Sequence, residues 1–195
     1  MWIHEGWANY AETLFVEYHW GKADAVTYLN TGKENVKNQY PVIGPEGVYA
    51  TPPADQYKKG ALFLNTLRSV IDNDAEWFKL LHDYYQHFKY QTIMTTDMVT
   101  FFNHHTGLNL TPLFNEYLRH AAIPVLELKF NAAAKQVGYR WRAEEPDFAM
   151  PVRAGQPGQW QLLHPTSEWQ WLATPLSAAE FSADTDYYYI DVSKQ

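Results

Sequence analysis

Two carboxylates near the start of the chain, Glu5 and Glu12, stand two helical turns apart. In a helix, Ile3, Trp7, Tyr10, Leu14 and Phe15 would form the apolar side, while Glu5, Ala8, Asn9 and Glu12 share another face. Only Ala8 and Asn9 lie between the carboxylates on that face, so a second helix or a metal ion could approach it closely. Carboxylates so placed either stand in water or hold a cation, and spacing alone favours water. The eight histidines add little, because no two are four positions apart and so none presents a pair of imidazoles to one metal. His82 and His87 fall on diverging helix faces, and His104 and His105 sit near a helix end beside Gly107, where a cation complements the helix dipole.

The wording of the segment carries more than its spacing. The run Trp2-Ile3-His4-Glu5-Gly6-Trp7-Ala8-Asn9-Tyr10-Ala11-Glu12 resembles the W-x-N-E-G-F-A-x-Y-x-E signature of the gluzincin zinc aminopeptidases, the family of aminopeptidase N and leukotriene hydrolase. His4 stands where Asn is usual, and Trp7 replaces Phe. The resemblance implies that Glu5 is the third protein ligand of a catalytic zinc ion and that Glu12 orients a ligand by hydrogen bonding. The family takes its other two ligands from an H-E-x-x-H helix, whose intervening Glu is the general base. No H-E-x-x-H occurs in the 195 residues, and His4-Glu5 is followed by Gly6, Trp7 and Ala8. By the family's spacing the motif would end roughly 20 residues before Glu5, upstream of Met1, so the chain reads as starting inside the catalytic unit of a longer enzyme.

A second resemblance lies at Tyr57-Lys58-Lys59-Gly60-Ala61. The family carries Y-x-K-G-A after a variable loop, and its Tyr donates a hydrogen bond to the oxyanion of the tetrahedral intermediate, which assigns that task to Tyr57. A neutral phenol O–H held by packing suits developing negative charge. Gly60 inside a helix costs about 1 kcal/mol against Ala, which points to close packing on a neighbouring element. Lys58 and Lys59 read as solvated. Weaker matches at Thr96-Asp97, Gly107-Leu108-Asn109-Leu110 and Phe114-Asn115-Glu116-Tyr117-Leu118 carry the resemblance to about residue 130.

Composition bounds the alternatives. A chain that is 46% hydrophobic with 8 Trp and 14 Tyr demands a substantial core, and no apolar run approaches the length of a membrane span. A formal charge of -7, with no basic cluster, argues against a nucleic-acid partner. The absence of cysteine excludes disulfides and thiolate ligands but leaves the compartment open, cytoplasmic or exported.

These residues need elements to hold them. Helical spacing runs from residue 3 to about 122 and strand-like alternation from 124 to 195, with Ile123-Pro124 at the junction because a helix rarely runs through X-Pro. The expected fold is therefore α+β, with a helical domain at 1–122 and a β-sandwich domain at 123–195; by resemblance, the first is the helical second half of a thermolysin-like catalytic domain. Gly21 ends the first helix, and Asp24 is expected to cap a second that runs toward Gln39. Residues 40–55 carry Pro41, Gly44, Pro45, Gly47, Pro52 and Pro53, too many breakers for regular structure, in a loop of a length that often borders a cleft. Asp55 is expected to cap the helix of Tyr57, and further helices follow at Glu76–Phe88 and from Thr95. Strands are expected around Leu126–Phe130, Val137–Arg142, Trp169–Leu172 and Tyr187–Val192, with a turn at Gly155-Gln156-Pro157-Gly158. Short strands with one apolar face need a second sheet, hence a small antiparallel sandwich.

The reading implied is a zinc-dependent aminopeptidase acting on peptides, with Glu5 on the metal, Tyr57 on the oxyanion and Glu12 behind the ligands. Its zinc ion and its missing N-terminal part would be partners of this chain, which alone would be inactive. The alternative is a noncatalytic helical plus β-sandwich binding module on a peptidase-like scaffold, since fold does not guarantee chemistry.

Overall fold

The computed structural model describes residues 1–45, 47–48 and 51–195. Among them, six α-helices precede seven short strands. Helix α1 (Trp2–Trp20) buries Trp2, Gly6, Tyr10 and Thr13, a stripe at helical spacing, and ends at Gly21 with φ 95°. Phe15, expected on the apolar side, is instead 59% exposed, because it lies two residues, about 200°, past Thr13 and so on the side opposite that stripe. Helix α3 (Asp55–Ile71) is the centre of this half, buried on all sides from Lys59 to Ser69.

The packing of α1 on α3 depends on two glycines. A Cβ added to Gly60 would stand 2.9 Å from the Cα of Gly6, and one added to Gly6 would stand 3.3 Å from the Cα of Gly60. The backbones themselves are in contact, so the helical Gly60 is explained by close approach, as its cost in the sequence suggests. Toward the other end of both helices, the buried Arg68 guanidinium bonds Glu17 at 2.6 and 2.8 Å and Asp74 at 2.8 Å.

Helix α2 (Lys22–Asn30) is shorter than expected and is followed by a 3-10 turn at Lys33–Asn35. Its cap is Gly21, and Asp24 lies within its first turn. The helix does not reach Gln39 because the amides of Lys37 and Asn38 are taken by the Asp55 carboxylate at 2.9 and 2.7 Å. The same bonds correct the role of Asp55: it opens α3 as a helical residue and holds the incoming loop, while Ala54 occupies the cap position. Within that loop, Glu46, Tyr49 and Ala50 lie outside the described residues, and the described part from 40 to 53 carries no regular element. Helix α4 (Asp74–Phe88) is capped by Asn73, whose side chain accepts from Ala75 and Glu76. Helices α5 (Thr95–Thr106) and α6 (Thr111–Arg119) complete the helical part, and Gly107 stops α5 with φ 68°. Trp77, Phe102, Phe63 and Phe114 fill the space between these helices through edge-on contacts, and Tyr117 packs tilted against Phe63.

After Pro124 the chain forms β1 (Val125–Asn131), β2 (Gln136–Arg142), β3 (Val152–Gln156), β4 (Gln159–Leu163), β5 (Gln170–Ala173), β6 (Ser182–Ala183) and β7 (Asp191–Lys194). One sheet has the order β5-β2-β1-β7 and the other β4-β3-β6. Pairing is antiparallel throughout except where β7 runs parallel to β1, Val125 opposite Asp191. The expected turn at Gly155–Gly158 joins β3 to β4. Leu126, Leu128, Val137, Trp141, Val152, Ala154 and Phe181 are buried between the sheets in one core continuous with that of the helices.

Tyr187–Ile190 is not a strand. Its backbone and side chains turn onto α3 instead: Asn65 and Ser69 donate to the Tyr187 carbonyl, the Tyr189 amide donates to Thr66 Oγ1 at 2.9 Å, and the Tyr188 hydroxyl donates to the Ser69 carbonyl at 3.1 Å. From α6, the Tyr117 hydroxyl donates to the Tyr189 carbonyl at 2.7 Å. Strand formation is lost here because helix side chains supply the hydrogen bonds that a neighbouring strand would offer.

Candidate active site

Glu5 and Tyr57 are carried by the two helices that touch at Gly6 and Gly60. Glu5 immediately precedes Gly6 on α1 and is half-buried. Tyr57 lies one turn before Gly60 on α3 and keeps 37% of its surface exposed. The fold therefore sets both residues beside one helix crossing, although they are far apart in sequence. The Trp2 indole, one turn before Glu5, donates to Thr95 Oγ1 at 2.8 Å and stacks edge-on against Phe63, fixing the start of α1 against α5 and α3.

The second carboxylate is farther along α1 and exposed. Glu12 accepts a 2.7 Å hydrogen bond from the Tyr28 hydroxyl of α2 and lies 3.9 Å from the Lys58 ammonium of α3. The bond raises the Tyr28 pKa, since the phenol proton is held by the carboxylate. Lys58, read as solvated, is half-exposed.

Lys59 departs from the reading of the sequence. Its side chain has no exposed surface and donates to the carbonyls of His120 at 3.3 Å, Ala121 at 2.8 Å and Ala122 at 3.5 Å. Burial pushes its pKa down to about 8. A signal was present in the sequence: Lys59 falls on the same helical stripe as Phe63 and Thr66, both buried.

A catalytic zinc ion takes about three protein ligands. Among the described residues, no three His, Asp or Glu side chains gather in a group able to hold a metal ion. The residues of this chain offer Glu5 as one carboxylate and do not complete a zinc site by themselves.

Comparison with known proteins gives the family of the chain. Residues 1–117 match the Peptidase family M1 domain. The chain belongs to that family. Aminopeptidase B of Rattus norvegicus is 24% identical over 177 residues, a stretch covering 75% of this chain and 27% of the relative. Aminopeptidase B of Mus musculus is 28% identical over 118 residues, covering 52% of this chain and 18% of the relative. The chain thus spans about a quarter or less of the length of these M1 relatives. Among solved structures, aminopeptidase A of Legionella pneumophila, crystallised with aspartic acid, superposes with a TM-score of 0.61 at 12% identity over 98% of this chain and 24% of that one. At that identity the likeness concerns the fold, which it extends through the β part beyond the M1 match.

Proposed function

We propose that this chain serves a zinc aminopeptidase that hydrolyses N-terminal residues from peptides, with Glu5 as a metal ligand and Tyr57 as the oxyanion donor. The observation that supports this most is the contact of Gly6 with Gly60, which sets the Glu5 turn of α1 against the Tyr57 turn of α3. A phenol partly open to solvent on a helix held this closely can donate its O–H to a developing oxyanion without reorganising. Zinc in such enzymes polarises the scissile carbonyl and activates water. The two further ligands and the general base would come from polypeptide outside these 195 residues, a reading supported by the lack of H-E-x-x-H in the chain and by the greater length of its relatives. Glu12 would orient a metal ligand by hydrogen bonding, the role the family resemblance implies. We also propose the boundary between 122 and 123 as the limit of the catalytic helices.

The test is the encoding DNA. An in-frame H-E-x-x-H and, as the family resemblance implies, a G-x-M-E-N segment that binds the substrate's free amine are expected upstream of Met1. With neither present, the chain would be a noncatalytic binding module on a peptidase scaffold, and the zinc reading would fall.

A further inference from the structure

The first turn of α3 has little to hold it from its own sequence. Ala54 at the cap position offers no side-chain hydrogen bond, and the segment before it is irregular. Its support comes from elsewhere: Asp55 grips the amides of Lys37 and Asn38, Gly60 rests on Gly6, and Lys59 reaches the carbonyls of His120, Ala121 and Ala122. Of the three, Lys59 is the costliest arrangement. An ammonium without exposed surface carries a large desolvation penalty, and no carboxylate lies within ion-pair distance among the described residues to offset it. Asp55, Glu116 and Glu144 act on it only from farther off.

What Lys59 holds explains its presence. Residues 120–122 follow α6 and precede β1, in neither helix nor strand, so their carbonyls lack ladder partners. Three donors on one ammonium satisfy them together. Two residues along a helix is a rotation of about 200°, so Lys59 leaves α3 on the side opposite Tyr57. The exposed phenol and the buried ammonium are the front and back of one turn.

We propose that Lys59 is a positioning residue for Tyr57: through its bonds to residues 120–122 it ties the Tyr57 turn of α3 to the segment that leads into the β-sheets, so the place of the phenol depends on the β part. The proposal rests on the oxyanion reading of Tyr57 for its functional meaning. Its test does not measure turnover, so the two fail separately.

The 195-residue chain is labelled with ¹³C-tyrosine, and the ring signals of Tyr57 are compared with those of the exposed Tyr85 on α4. Lys59→Met should shift and broaden the Tyr57 signals while leaving Tyr85 in place, and Lys59→Arg, which keeps donors, should restore much of the original line. Arg68→Met, which loosens the far end of α3, should leave Tyr57 unmoved. An unchanged Tyr57 signal in folded Lys59→Met, or an equal change in Arg68→Met, would overturn the proposal. Should Lys59→Met not fold, the unsubstituted chain decides the matter on raising the pH from about 7 to about 9, across the titration of Lys59. Asp55, Glu116, Glu144 and His120 are the other titratable groups around this ammonium. In a chain labelled at the alanine carbonyls as well, the Tyr57 ring and the Ala121 carbonyl ¹³C should then move with one midpoint. Different midpoints, or a static Tyr57, would refute the coupling.

Discussion

Gly6 of α1 and Gly60 of α3 meet backbone to backbone, with only 2.9 Å available between the Cα of Gly6 and any Cβ placed on Gly60. Elsewhere in a helix, Gly→Ala gains up to about 1 kcal/mol. Here the obstructing atom is backbone and cannot swing aside, so overpacking of about 1–3 kcal/mol outweighs that gain. Gly60→Ala should therefore lower stability, by up to about 2 kcal/mol, in urea unfolding. A rise in stability would show that the helices are farther apart than described.

The chain alone should bind zinc weakly or not at all, since among the described residues no three His, Asp or Glu side chains gather to hold a metal ion. Calorimetric titration with zinc reads this directly. Tight one-to-one binding would place the ligands elsewhere. Turnover of chromogenic amino-acid amides by the rigorously purified chain would contradict the same argument.

In an enzyme with the two histidines supplied, the two proposed site residues should separate by readout. Tyr57→Phe removes one oxyanion donor and should lower kcat by roughly 10² to 10³ with zinc content unchanged. Glu5→Ala should lower zinc occupancy. Full kcat in Tyr57→Phe would reduce Tyr57 to a packing residue.

Acid stability should carry the mark of Arg68. Its guanidinium, with help from Lys22, holds the Asp74 carboxyl at about 2, below the ordinary 3.8. The unfolded chain then takes up this proton at higher pH than the folded one, so the contribution is present above the ordinary value and is lost as pH falls toward 2. Asp74 is 47% exposed in its side chain, which keeps the effect small. Urea midpoints measured across that range should fall more steeply for the unsubstituted chain than for Arg68→Met, and parallel curves would disprove the assignment.

Docking of Tyr187–Ile190 can be tested at Tyr117. Tyr117→Phe deletes the donor to the buried Tyr189 carbonyl and should cost about 1–3 kcal/mol, because that acceptor is left without a partner. Tyr90→Phe, at a fully exposed tyrosine, should cost nothing measurable. Equal effects would mean that the Tyr117 hydroxyl is wetted.

Most of the architecture was legible because it follows local periodicity. The stripe of Leu64 and Leu67 marks α3, the alternation around Leu126 and Leu128 marks β1, and Pro124 separates the two regimes. The failures share one cause. Lys59, Asp55 and Tyr187–Tyr189 are polar or aromatic groups whose partners lie far away in sequence, and local pattern suggests only the role each type has in isolation: a solvated lysine, a capping aspartate, a strand of tyrosines. At the candidate site, motif wording proposes Glu5 and Tyr57, and only the helical Gly60 hints that another helix must approach. The identity of that helix, α1, needed the structure.

Helix α3 bears Tyr57 near its start and receives Tyr187–Tyr189 along its later turns, so it belongs equally to both halves of the molecule. A beam shared in this way leaves no hinge between them. A shift of the β part would be carried along α3 to the turn that bears Tyr57.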